Sequence, residues 1–297
     1  MTEFLIADQA EIGPASDQAR AHLPEEYVPI ATMRAIAPTV CAILGADPPG
    51  DADEPAISEV VEALSGSERI AHIVIDAFGM ATWKCHEAVA RTFGKLAGVR
   101  QAELQSVLPA ITPVNFSTIA SGASPGCHGV RNRDEELTVD TSFARLAAAG
   151  KTTAVCGRAM STTGILLAGH SAVPSRAESN TDKEVVDLFI QRASEGTDYI
   201  LAQLLDVDEA GHADGPFHFR SRQAVGRTDF RLANMVRAAA DHGYALLLHA
   251  DHGQHDVELA DGAPIGMKGT HSGRRQEDVR VPFVYLTNTE LRDALEG

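Results

Sequence analysis

Six side chains able to bind a divalent cation recur just beyond apolar runs in this 297-residue chain. Asp76 follows Ile73-Val74-Ile75. Asp208 and His212 come after Leu204-Leu205, and Asp251 and His252 after Ala245-Leu246-Leu247-Leu248, with His271 further on. Three carboxylates and three imidazoles suffice to hold two divalent cations side by side, and paired cations in one cleft point to phosphate-ester chemistry. The donor set favours Zn²⁺, with Mn²⁺ also admissible because sequence does not fix coordination geometry.

Each cluster also has a plainer reading. Asp208-Glu209-Ala210-Gly211-His212 could be a charged turn with a solvated histidine; read as a site, its glycine lets the backbone fold tightly around a metal. Asp251-His252-Gly253 could be a turn with a capping carboxylate; read as a site, Gly253 permits the sharp turn that brings both side chains to one ion. Asp76 at a strand end could cap the next helix, and His271 in Gly269-Thr270-His271-Ser272-Gly273 could be a solvated loop residue. His255 and Asp256 read as supporting or surface groups. The joint occurrence of all three clusters in matching positions favours the site.

A nucleophile candidate lies between the first two clusters. Thr112 before Pro113 has the form of a helix N-cap with proline at the first helical position. A hydroxyl there faces unpaired N–H groups and the positive end of the helix dipole. A cation bound beside it would lower its pKa and create an alkoxide for in-line attack on phosphorus. Ser117 and Thr118 fall inside the same predicted helix and are weaker candidates.

Such residues need a scaffold that brings them together. Ile70–Ile75, Gln101–Leu108, Thr152–Cys156, Tyr199–Leu205, Tyr244–His249 and Val281–Leu286 read as strands. Helices are predicted over Ala31–Leu44, Ala56–Leu64, Ala81–Leu96, Val114–Ala120, Thr141–Ala149, Asp182–Ala193 and Phe219–Ala240, with a short one at the end of the chain. The alternation predicts an α/β fold, a mainly parallel central sheet with helices on both faces. Ligands gather beyond the carboxyl ends of the strands in such sheets, so Asp76, Asp208 and Asp251 are expected on one rim. The whole of 1–297 reads as a single metallohydrolase domain, with a helical preface over 1–67 and a catalytic core over 68–297.

Composition bounds the partners. The chain carries 41 acidic against 25 basic residues, a net charge of −16, which repels duplex nucleic acid and anionic membranes. An anionic substrate then needs local compensation, which cations supply. Cys41, Cys85, Cys127 and Cys156 form no C-x-x-C pair and are expected to be free and buried. Met1–Asp8 has no basic n-region and no apolar stretch is long enough to span a bilayer, so a cytoplasmic location is expected. Oligomeric state is not legible.

The ordered motifs resemble the alkaline phosphatase superfamily, and most closely its nucleotide pyrophosphatase/phosphodiesterase branch. That branch has an Asp after the first strand, a T-x-P-N…T-G…P…H-G-[IV] segment, D-x-x-G-H, D-H-G and a late G-x-H. Here these are Asp76, Thr112 to Val130, Asp208 to His212, Asp251 to Gly253, and Gly269 to His271. The resemblance implies the superfamily's three-layer sandwich and a metal-dependent hydrolase of small phosphate esters. Asp76, Asp251 and His252 would hold one metal, which also binds the Thr112 oxygen, and Asp208, His212 and His271 a second. It also implies a phosphothreonine intermediate, and Asn132 as donor to a phosphoryl oxygen, one residue earlier than the branch spacing. Two departures stand out: Ala77 follows Asp76 where glycine is usual, and the nucleophile stretch reads T-P-V-N rather than T-F-P-N. A phosphomonoesterase, a phosphonate hydrolase, a phosphosugar mutase and a non-catalytic metal-binding homologue are the alternatives. The sulfatase and phosphoglycerate mutase nucleophile motifs are absent.

Overall fold

Apolar runs without alternation become strands covered on both faces. In the computed structural model, which describes residues 12–258, 262, 264–271 and 275–296, the strands are β1 (Ala31–Thr32), β2 (Ile70–Ile75), β3 (Gln101–Gln105), β4 (Thr153–Arg158), β5 (Val173–Ala177), β6 (Tyr199–Leu204), β7 (Ala245–His249), β8 (His255–Asp256), β9 (Gly269–Thr270) and β10 (Arg280–Leu286). Met1–Asp8, as well as Ser272 and Gly273 of the late loop, lie outside the described residues. Eight strands form one sheet in the order β1-β3-β10-β7-β2-β6-β4-β5. Among the described residues β10 runs antiparallel to both neighbours, and every other pair in this sheet is parallel. Every residue of β2, β4, β6, β7 and β10 is buried, and helices pack around the sheet. This is the α/β architecture expected.

Local chemistry moves several boundaries. The run predicted as one helix over Ala81–Leu96 is two, Met80–His86 and Arg91–Val99. The second starts afresh because the Asp229 carboxylate, on the long Phe219–Asp241 helix, accepts from the Thr92 and Phe93 N–H groups at 2.9 and 3.0 Å. Ala31–Thr32, expected to be helical, instead pairs with Leu104 and Gln105 of β3, and the helix begins only at Ile36. Thr32 then caps the intervening 3₁₀ turn by accepting from Arg34 N–H. β3 stops at Gln105, three residues short of the predicted Leu108. Beyond it the Val107 N–H turns to the Asn115 side chain at 3.0 Å.

The segment before Ser67 supplies β1 to the sheet and Met33, Ile36, Val40 and Leu44 to the main apolar core. All four cysteines are free. Cys41 and Cys156 are buried as expected, whereas Cys127 is exposed and Cys85 intermediate, because Cys127 sits in the short turn of helix Pro125–His128. No helix among the described residues is long and apolar enough to cross a membrane.

Since Asp229 is buried and caps two N–H groups at once, Asp229→Ala should lower unfolding free energy by about 1–2 kcal/mol. Urea denaturation read by circular dichroism checks this, and an unchanged midpoint would rule out the capping role.

Candidate metal centre and nucleophile

Strands β7, β2 and β6 are adjacent and parallel, so their carboxyl ends open on one rim, and Asp76, Asp208 and Asp251 meet there. The exits of β2 and β7 pack backbone to backbone. A Cβ on Gly79 would lie 2.6 Å from the Gly253 Cα, and one on Gly253 would lie 2.0 Å from the Glu277 carbonyl oxygen. Gly253 is therefore required by close approach; its φ is not in the left-handed region. Ala77, where the resembling branch has glycine, takes φ 57° and directs its N–H to Asp251 Oδ1 at 3.2 Å. Asp76 caps no helix, since the next one starts from Gly79.

The Asp208 cluster is not a turn. It lies in a helix, Asp206–Asp214, which puts Asp208 and His212 on one face at i, i+4 spacing, with His212 Nε2 3.2 Å from Asp208 Oδ1. Gly211 is needed not for folding around an ion but for room: a Cβ there would lie 1.7 Å from the Gln254 Oε1. His271 arrives by an element not predicted. The antiparallel pair β8–β9, with His255 opposite Thr270, returns the chain to the rim.

Two groups result, Asp76 with Asp251 and His252, and Asp208 with His212 and His271; in each, the potential ligand atoms lie within 4.8 Å of one another. Within the first, His252 Nε2 is 3.2 Å from Asp251 Oδ2 and 3.6 Å from Asp76 Oδ1. The two groups touch. The rings of His252 and His271 stack with centroids 4.0 Å apart, and the Nε2 atoms of His271 and His212 are 3.2 Å apart.

The hydrogen bonds orient these groups for a cation. All three histidines turn Nδ1 to a backbone carbonyl: His212 to Gly269 at 2.9 Å, His252 to Gly253 at 3.1 Å and His271 to Ala110 at 2.8 Å. A neutral imidazole that donates from Nδ1 presents the Nε2 lone pair inward, as metal-binding histidines do. Asp76 Oδ1 and Asp251 Oδ2 are buried without a hydrogen bond among the described residues. Inward lone pairs and orphaned carboxylate oxygens together fit a divalent cation in the first group, and inward lone pairs beside the Asp208 carboxylate fit one in the second. Two glutamines that the sequence did not single out complete the carboxylate contacts. Gln203 Nε2 donates to Asp76 Oδ2 at 2.5 Å and Gln254 Nε2 to Asp208 Oδ1 at 2.6 Å. Their signals were slight: Gln203 is the one polar residue of β6 besides Tyr199, and Gln254 directly follows D-H-G.

The electrostatics agree. Burial, with repulsion from Asp251 and Asp208, pushes the Asp76 carboxyl far above its ordinary range. Burial likewise raises Asp251 to about 7. Burial drives His252 down to about 4 and His271 to about 3, keeping both neutral. Asp208 is also buried, but the hydrogen bond and charge of His212 hold it below the usual value. Buried carboxylates that repel one another lack one thing, positive charge.

Thr112 opens the Thr112–Ser121 helix, but Ile111 occupies the cap position and no side chain caps it. The Thr112 hydroxyl is thus not spent on a backbone N–H as predicted. It lies 3.1 Å from His252 Nε2 instead. Ser117 donates to the Pro113 carbonyl and Thr118 pairs with His128 Nε2, so both hydroxyls serve the local fold. Asn132 sits in an exposed turn, its amide donating to Glu135 at 2.8 Å and accepting from Asp134 N–H. No hydrogen bond among the described residues joins it to the two groups. His255 is buried and pairs with Asp278 at 2.7 Å, while Asp256 stands beside it in β8.

Residues 143–268 match the family model of type I phosphodiesterase/nucleotide pyrophosphatase. That span holds Asp208, His212, Asp251 and His252 and leaves Asp76, Thr112 and His271 outside. No curated protein matches in sequence. Phosphonoacetate hydrolase from Sinorhizobium meliloti, solved with phosphonoformate, superposes with a TM-score of 0.54 at 14% identity, covering 77% of this chain and 95% of that one. Murine ectonucleotide pyrophosphatase/phosphodiesterase 5 gives 0.53 at 14% identity, covering 65% of this chain and 59% of that one. At these identities the structural likeness concerns the fold. The family match over residues 143–268 and the shared fold agree with the resemblance to the alkaline phosphatase superfamily and its phosphoric ester hydrolases. Within that superfamily, the matched family is the type I phosphodiesterase and nucleotide pyrophosphatase branch.

Asp251 supplies a test of the unmet charge. Its folded pKa of about 7 exceeds the ordinary 3.8, so between those values the folded state keeps a proton that the unfolded state has lost. Its contribution to stability therefore falls as pH rises through that window. Asp251→Asn retains an acceptor for the two N–H groups and cannot ionise. In chelator-treated protein, its unfolding free energy should gain on the wild type by about 2–4 kcal/mol across that window. Divalent cation at neutral pH should reverse the order. A difference independent of both pH and cation would refute this account of the carboxylate.

Proposed function

We propose that this protein is a dinuclear metal-dependent phosphodiesterase or nucleotide pyrophosphatase with Thr112 as nucleophile. The observation that carries this reading is the adjacency of one half-buried threonine hydroxyl to two abutting three-residue ligand groups. Asp76, Asp251 and His252 would hold one cation and Asp208, His212 and His271 another, lowering the pKa of the Thr112 hydroxyl and neutralising the oxygens on phosphorus. The mixed Asp and His donors suit Zn²⁺, with Mn²⁺ as the alternative.

The chain's own groups account for the rest. Thr112 stands at the first turn of a ten-residue helix, where N–H groups without helical carbonyl partners and the dipole favour an anionic phosphoryl group. His252 Nε2 lies 3.1 Å from the hydroxyl, so a cation held on its lone pair would stand beside the Thr112 oxygen, and the hydroxyl proton would leave to solvent. The Thr112 Oγ–phosphorus bond forms as the bond from phosphorus to the leaving oxygen breaks, and that oxygen takes a proton. Water then attacks the phosphothreonine: its oxygen bonds to phosphorus, the Oγ–phosphorus bond breaks, and Thr112 recovers its proton. For a diester the product is a phosphomonoester. Asn132 remains a proposed donor to a phosphoryl oxygen; to act so it must give up its turn contacts with Glu135 and Asp134. With a net charge of −16, a small phosphate ester fits better than duplex nucleic acid.

A phosphonate hydrolase is the second reading. It is favoured by the extent of the likeness to phosphonoacetate hydrolase, 95% of whose chain is covered against 59% of the murine protein.

Thr112→Ala should lower turnover of a nitrophenyl phosphodiester at least about a hundredfold while bound metal, measured by atomic emission, is retained. Undiminished turnover would remove Thr112 from the mechanism. Loss of metal together with activity would make the threonine a ligand first. Parallel assays on the corresponding monoester and on phosphonoacetate separate the readings, since a strong preference for either would displace the diesterase.

A further inference from the structure

Each ligand group is served by one buried glutamine. Gln203 and Gln254 are each 1% exposed, and each gives its amide N–H to one carboxylate, Asp76 in the first group and Asp208 in the second. Which end of each amide faces the carboxylate is fixed by its neighbours. The backbone N–H of Thr163, which can only donate, points at Gln203 Oε1 at 3.4 Å, and the Thr163 hydroxyl reaches the same oxygen at 2.7 Å. The NH₂ end of Gln203 must therefore face Asp76. Gln254 Nε2 meets two acceptors, the Asp208 backbone carbonyl at 3.2 Å and its carboxylate at 2.6 Å, so it too must donate.

Two glycines make room for this arrangement. A Cβ on Gly157 would lie 1.8 Å from the Thr163 hydroxyl that holds Gln203, and one on Gly211 would lie 1.7 Å from the Gln254 Oε1. Thr163 itself begins a single π-helical turn, Thr163–Leu167, a local irregularity that recurs at functional sites. Its hydroxyl also meets Ser161, which donates to the Arg158 carbonyl at 2.9 Å. The Gln203 contact occupies Asp76 Oδ2 and leaves Oδ1 as the buried oxygen without a partner. The amide thus decides which oxygen is offered to the site.

We propose that Gln203 and Gln254 are positioning residues, one for each ligand group. Each locks the rotation of one carboxylate so that a lone pair faces the cation before it binds. The proposal rests on the metal-site reading above. It assigns Gly157 and Gly211 as the spaces that admit the two amides. Outer partners of this kind typically alter metal affinity by about 10–100-fold.

The test is cation binding to chelator-stripped protein, followed by calorimetry with Zn²⁺ alone and accompanied by thermal denaturation of the stripped protein. Gln203→Met and Gln254→Met keep side-chain length and remove the donor. Each should weaken one of two binding events about tenfold or more and spare the other. Gly211→Ala should weaken the same event as Gln254→Met, and the double variant should add little. The expected pattern is selective loss of affinity with the stripped variants still folding cooperatively. Wild-type affinity for both ions in both methionine variants would overturn the positioning role while leaving the metal reading intact. Equal weakening of both events would also overturn the one-to-one assignment. A wild type that binds no Zn²⁺ would sink the metal reading itself.

Discussion

Three carboxylates converge, buried, where adjacent parallel strands end. Asp76 and Asp251 are fully buried and Asp208 nearly so, and nearby negative charge raises the first two further. Such an arrangement is unfavourable unless positive charge is supplied. His252 and His271 do not supply it, because burial and repulsion among the imidazoles keep them unprotonated; only His212, raised by Asp208, offsets part of it. The rest of the rim is organised around that unmet charge. Backbone carbonyls turn the imidazoles, glutamine amides hold the carboxylates, and glycines let the backbone close around them.

The sheet explains why convergence does not depend on flexible loops. β7, β2 and β6 share one direction and lie side by side, so residues just past their ends are neighbours by construction. Thr112 follows β3, which also runs parallel to β7 across the antiparallel β10. The nucleophile candidate therefore stands at the same rim. A helix on the Asp208 side and a two-stranded return for His271 carry the remaining candidate ligands into reach. A preformed scaffold of this kind would limit the reorganisation needed for a cation and a phosphate ester to bind.

A second network, buried at Arg158 and Asp182, supports the rim. Arg158, at the end of β4, pairs with Asp182 at 2.7 Å and Glu209 at 2.9 Å and also contacts Asp206. Asp182 in turn accepts from the Leu205 and Asp206 N–H groups. This fixes the turn between β6 and the helix that presents Asp208 and His212. Arg231 closes the network against Asp206. Its members are spread from residue 158 to residue 231, and none showed a recognisable spacing.

Much of the fold was legible because buried parallel strands leave an unmistakable trace: Ile70–Ile75 and Ala245–Leu248 are apolar runs too short for helices. The candidate ligand residues were legible for a related reason, since polar groups that end such runs stand out by chemistry and by order. Boundaries set by distant partners were not. The break at Glu87–Ala90 depends on Asp229, and the strand at Ala31–Thr32 depends on β3. The sequence by itself determined the α/β class, the six ligand candidates, Thr112 and the rim on which they fall, because those follow from local hydrophobic pattern and residue type. Only the tertiary structure decided that Gly211 and Gly253 make room rather than turn, that the Thr112 hydroxyl faces His252, and that Gln203 and Gln254 donate to the carboxylates. Those depend on atoms far apart in the chain approaching within contact distance, which no local pattern encodes.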